Sequence, residues 1–113
     1  MQRRQIIQWG AASLAAPAFL AQAQSFPNKP IKLIIAFPAG GPTDITMRAL
    51  ADNASKILGQ TVIVENKPGA GGTLPAQALQ TVPADGYTVA QIPLGVFRLP
   101  YTTKINWDPV KDI

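Results

Sequence analysis

Apolar residues crowd into short runs along this chain, and their spacing changes from run to run. Ile31-Lys32-Leu33-Ile34-Ile35-Ala36-Phe37 is almost unbroken and rich in isoleucine, the pattern of a strand covered on both faces in a parallel sheet. Pro38-Ala39-Gly40-Gly41-Pro42 stops it. From Asp44 to Leu58 the period lengthens. Met47, Leu50, Ala51, Ala54, Ile57 and Leu58 recur three and four apart, predicting a helix with one apolar side, and Arg48, Asp52 and Lys56 fall on the other. Thr43 is the candidate N-cap, and Asp44 places a negative charge in the first turn, where the helix dipole favours it. Gly59 suits the position just past the helix end, where a left-handed backbone costs glycine little.

A second β-branched run, Thr61-Val62-Ile63-Val64-Glu65, ends in another glycine-rich loop, Asn66-Lys67-Pro68-Gly69-Ala70-Gly71-Gly72. Thr73 is placed to cap a short helix over 74–81, with Pro75 tolerated in its first turn. Val82 to Gly86 reads as a turn and Tyr87 to Ile92 as a third strand. The order strand, helix, strand, helix, strand predicts an α/β fold on a parallel sheet with right-handed crossovers. After Pro93 the pattern decays, which places Arg98 in a loop.

The first 23 residues have a different character. Arg3 and Arg4 precede an apolar run from Ala11 to Ala21, and Ala21-Gln22-Ala23 follows, the layout of a cleavable export signal. The run is shorter than the roughly 20 residues a membrane-spanning helix needs, and Pro17 interrupts it. Cleavage after Ala23 is therefore expected, by the general or the twin-arginine route, with no membrane anchor left behind. That leaves 90 residues, one domain at most, and lowers the formal charge from +4 to +2.

The remaining basic residues are scattered singly, so a nucleic-acid partner is not expected. Without cysteine, no disulfide framework holds the fold. Without histidine, the commonest general base and metal ligand is missing. Neither Ser25 nor Ser55 sits in a G-x-S-x-G turn, so nucleophilic hydrolysis is disfavoured, and no cofactor is implied.

The chemistry therefore rests on the two glycine loops. In a parallel sheet both emerge at the carboxyl ends of the strands, where ligands bind in open α/β folds. Each precedes a helix start, with unpaired N–H groups and the positive end of a dipole. Gly40, Gly41, Gly71 and Gly72 let backbone approach a ligand with no Cβ in the way, so together the loops predict a cradle for a carboxylate. The same glycines also serve simply to turn the chain. Thr43 and Thr73 either cap their helices or donate hydroxyls to the ligand. Asp44 either complements the dipole or orients a water or a ligand ammonium. Arg98 either pairs with a second ligand carboxylate or stays solvated.

Several of these segments, in order, resemble the substrate-binding receptors of tripartite tricarboxylate transporters, the Bug-type proteins. The likeness is carried by Phe26-Pro27-Asn28-Lys29-Pro30-Ile31, by Phe37 to Asp44, by Val64 to Gly72, by Ala84-Asp85-Gly86-Tyr87-Thr88 and by Trp107 to Asp112. It implies a periplasmic, type II-like clamshell receptor that grips a small carboxylate and delivers it to membrane transporter subunits. The loops matching Phe37, Ala39, Gly40, Gly41, Thr43 and Asp44, and Gly71, Gly72 and Thr73, would contact the carboxylate. The loop after the third strand, small and hydroxylated in many relatives, is here Pro93-Leu94-Gly95-Val96-Phe97-Arg98. Relatives are much longer, so residues 24–113 correspond to an incomplete first lobe, expected to bind weakly or not at all alone. The alternative is a small α/β enzyme or nucleotide-phosphate module using the same loops. It lacks a complete G-x-G-x-x-G pattern, a P-loop lysine and an acid–base pair.

Overall fold

The computed structural model describes residues 25–113, so the expected export signal at 1–23 lies outside the described residues. Three strands, β1 (Ile31–Ile35), β2 (Val62–Asn66) and β3 (Thr88–Gln91), form a parallel sheet with β1 central, in the order β2-β1-β3. Ile35 is the partner of both Asn66 on β2 and Gln91 on β3, so these three residues form one rung at the carboxyl edge.

The near-continuous apolar run predicted a strand covered on both faces, and β1 has that environment. Side chains alternate along a strand, so Ile31 and Ile35 point to one face and Ile34 to the other, and all three are buried. Helix α1 (Pro42–Leu58) lies over the first face and α2 (Leu74–Leu79) packs on β3. The β2–α2 connection must therefore pass across the end of β1, which brings the second glycine loop over the centre of the sheet.

Local chemistry sets the ends of α1. Its N-cap is Gly41 and Pro42 occupies the first helical position, where a missing N–H costs nothing. Thr43 is thus inside the first turn and does not cap the helix as its position suggested. Proline's fixed φ had already started the helix one residue earlier. At the other end Gly59 takes the expected left-handed conformation, φ 67°, and donates its N–H to Ser55 O at 3.0 Å. Ser55 Oγ accepts the N–H of Val62 at 2.8 Å, tying the helix end to the start of β2.

Of the apolar face predicted for α1, Ala51 is buried and Ala54 partly so, whereas Leu50 and Ile57 are largely exposed. With Phe26, Leu33, Leu58 and Val89, Leu50 lines an open apolar groove between helix and sheet.

The segment after Pro93 is not the loop expected from its sequence. It forms α3 (Leu94–Thr102), with Pro93 at the N-cap and Pro100 inside. Proline, glycine and a short length hide the helical period. Val96, fully buried, anchors the helix, which packs on the 3-10 turn at Ala70–Gly72.

Candidate functional site

Both glycine loops emerge at the carboxyl edge of the sheet, as the parallel topology requires. The first, after β1, is held by Asp44, which is 4% exposed. Asp44 Oδ2 accepts the N–H of Gly40 at 2.8 Å, Oδ1 accepts Asn66 Nδ2 at 2.9 Å, and Arg48 Nε donates to both oxygens at 3.0 Å. These donors, Arg48 foremost, then Gly40 and Asn66, hold the carboxyl down at about 2, from an ordinary 3.8. Asp44 is a fixed internal anion with its charge met by Arg48. It is a latch on the first loop, besides complementing the dipole of α1, and its oxygens are engaged with protein donors.

Asn66 completes the latch, and only its place before a glycine loop singles it out along the chain. Its Nδ2 also donates to Phe37 O at 3.0 Å, and its Oδ1 accepts Arg48 Nη2 at 2.9 Å. One side chain thus joins the end of β2 to both flanks of the first loop.

The second loop folds into the Ala70–Gly72 3-10 turn, with φ positive at Gly69, Ala70, Gly71 and Gly72. A Cβ on Gly72 would lie 2.7 Å from Pro93 Cγ, inside contact distance, so glycine here permits the second loop to touch the end of β3. Thr73 stands at the start of α2, but its hydroxyl donates to Ala70 O at 2.9 Å and makes no capping bond.

The backbone donors divide into two sets. The N–H of Gly40 is taken by Asp44, that of Gly72 by Gly69 O at 2.8 Å, and that of Thr73 by Ala70 O at 3.3 Å. Gly41 makes a long 3.4 Å contact to Pro38 O. Among the described residues, the N–H groups of Ala39, Thr43, Asp44 and Gly71 have no carbonyl or side-chain partner. The available donors are thus largely neighbours of the glycines that the pattern pointed to, because the glycines' own amides close their loops. Phe37 is partly exposed beside the first loop. Arg98 is exposed on α3, in no ion pair among the described residues, and not on a loop.

Among the described residues no helix is long and apolar enough to cross a membrane, and no cluster of acidic residues could hold a metal ion.

Comparison with known proteins agrees with this architecture. The family described as "Tripartite tricarboxylate transporter family receptor" matches residues 46–113. A UPF0065 protein from the gbd 5' region of Cupriavidus necator is 62% identical over 120 residues, covering 100% of this chain and 37% of its own length. Among solved structures, MatC of Rhodopseudomonas palustris with bound malate superposes with a TM-score of 0.67 at 35% identity, over 77% of this chain and 30% of that one. A TctC solute-binding protein from Polaromonas, without ligand, gives 0.64 at 40% identity, over 71% and 28%. The chain therefore spans about a third of the length of the proteins it resembles. A parallel three-stranded sheet with its glycine loops at one edge, matched in sequence and in shape to solute-binding receptors, establishes that the chain belongs to the tripartite tricarboxylate transporter receptor family.

Proposed function

We propose that this chain supplies the carboxylate-gripping edge of an exported, periplasmic solute receptor. Residues 24–113 form part of its first lobe, and the captured acid passes to membrane subunits of a tripartite tricarboxylate transporter. The observation that carries the reading is the first turn of α1. The N–H groups of Thr43 and Asp44 are unpartnered at the positive end of a 17-residue helix, while the nearby Asp44 carboxylate is already neutralised by Arg48. An anion is favoured at such a helix start, and an unpaired aspartate would have repelled it.

Ala39, Gly40 and Gly41 shape the first loop beside Phe37. Gly71, Gly72 and Thr73 bring the second loop across the sheet, and Gly71 adds a further free N–H. Arg98, on the helix that packs against that loop, is the candidate for a second carboxylate. The malate held by the Rhodopseudomonas relative is of the size and charge this reading requires. Nothing in the reading requires catalysis.

A ligand held on one lobe stays open to water, so the 113-residue chain is expected to bind succinate or malate weakly, in the millimolar range. The test is a titration of the isotopically labelled chain followed by NMR, with shifts expected at the Ala39, Thr43, Asp44 and Gly71 amides. Micromolar binding by calorimetry would overturn the partial-lobe reading. Shifts produced by ATP and by no carboxylate would favour the nucleotide-phosphate alternative.

A further inference from the structure

Gln91 ends β3 on the rung it shares with Ile35 and Asn66. Val89, two residues earlier, lines the groove beneath α1 together with Leu33 and Ala51. Side chains two apart on a strand share a face, so Gln91 lies on the α1 side of the sheet. The strands run towards this edge and α1 runs away from it, so Gln91 stands at the level where α1 begins. Two residues further on, Pro93 packs on Gly72 of the second loop.

The Oε1 atom of Gln91 is buried and has no hydrogen-bond partner, the sole side-chain atom of that kind among the described residues. A buried polar atom left unmatched costs stability, so its presence at a ligand-binding edge calls for a reason. Its counterpart on the same rung, Asn66, has its amide fully engaged, donating to Phe37 O of the first loop and to Asp44 Oδ1 of α1 and accepting from Arg48 Nη2 of α1. A leucine or methionine of similar size would fill the Gln91 position without that cost.

We propose that Gln91 is a specificity-determining residue whose Oε1 accepts a hydrogen bond from the ligand, selecting carboxylates that carry a hydroxyl or ammonium donor near the carboxylate. The proposal rests on the carboxylate reading above and adds what that reading lacks, a group able to tell one acid from another. Backbone amides recognise a carboxylate whatever it is attached to. A fixed acceptor distinguishes malate or aspartate, which offer a donor, from succinate, which offers none.

The test compares malate, aspartate and succinate on the labelled 113-residue chain and on its Gln91→Leu and Gln91→Met variants. In the parent chain malate or aspartate should bind about fivefold tighter than succinate, the worth of one hydrogen bond. That ligand should also shift the Gln91 side-chain NH2 resonances, while succinate leaves them in place. A preference for malate assigns the donor as a hydroxyl, and one for aspartate as an ammonium. In both variants the preference should fall to about one, and the melting temperature should hold or rise, since an unmatched acceptor has been removed. Equal binding of all three acids by the parent, or a preference surviving in either variant, overturns the proposal while the loop amides still report carboxylate binding. If no acid shifts the loop amides, the receptor reading fails with it. Should both variants fail to fold, the Gln91 side-chain response in the parent chain decides.

Discussion

Asn66 and Asp44, 22 positions apart in the chain, are joined by a 2.9 Å hydrogen bond that locks the end of β2 to the first turn of α1. Asn66 also donates to Phe37 O at 3.0 Å, so its removal leaves a carbonyl and a carboxylate each short of a donor. Asn66→Ala is expected to lower stability by about 1–3 kcal/mol. Asn66→Leu should be no better, because the loss lies in the unmatched partners and not in the volume. Chemical denaturation measures both.

Acid should weaken the same latch in a defined window. The folded Asp44 carboxyl sits at about 2 against an ordinary 3.8. A depressed folded value gives stability that is fully present above about 4 and lost as the pH falls through about 2. Glu65, beside Lys32 and Lys67, and Asp85, beside the Tyr87 N–H and Lys29, are also lowered and act in the same direction. The Gly40 amide, which donates to Asp44, should titrate in the NMR spectrum with a midpoint near 2, and in Asp44→Asn that titration should vanish. A midpoint near 4 would show that the latch is not formed.

Gly72 and Gly40 should separate steric from conformational cost. Both have φ above +80°, but a Cβ at Gly40 meets nothing within 4 Å, whereas at Gly72 it meets Pro93 Cγ at 2.7 Å. Gly40→Ala is expected to cost about 1 kcal/mol from backbone strain, and Gly72→Ala about 2–4 kcal/mol. Adding Pro93→Ala to Gly72→Ala should recover the steric part and leave the rest. A double-mutant cycle on thermal melts gives the coupling directly.

At the opposite edge of the sheet Tyr87 ties down the segment entering β1. Its hydroxyl accepts the Asn28 N–H at 2.9 Å and donates to Asn28 Oδ1 at 2.8 Å, Lys29 Nζ lies 4.2 Å from the ring centroid, and Phe26 packs 4.9 Å away. Tyr87→Phe keeps the rings and loses the hydroxyl, so it should cost about 1 kcal/mol and speed hydrogen exchange at Asn28. Tyr87→Ala should cost more, because the ring contacts go as well.

The exposed part of the helical stripe offers a contrast. Leu50 is 56% exposed and Ile57 85%. Leu50→Gln and Ile57→Gln should therefore change the stability of the chain by no more than about 0.5 kcal/mol, while Ala51→Gln, at a buried position, should cost several times that. A loss at Leu50 equal to that at Ala51 would show that the groove both residues line is closed in solution.

Much of this fold was legible along the chain. The isoleucine run of β1, the three-and-four spacing of α1 and the two glycine loops are local signals, because they reflect which faces are covered and where the backbone must turn. They placed three strands and two helices in order and brought both loops to one edge, since a parallel sheet leaves no other arrangement. Local signals failed where neighbours decide. Prolines 93 and 100 concealed α3, which depends on burying Val96. Thr43 has the chemistry of a cap, but Pro42 starts the helix before it. Asn66 and Gln91 flank Ile35 on one rung, yet one is fully bonded and the other has a buried oxygen with nothing to accept. Sequence determines what each residue is able to offer. Which offers are taken depends on the atoms that folding brings within 3 Å of them, and those come from distant parts of the chain.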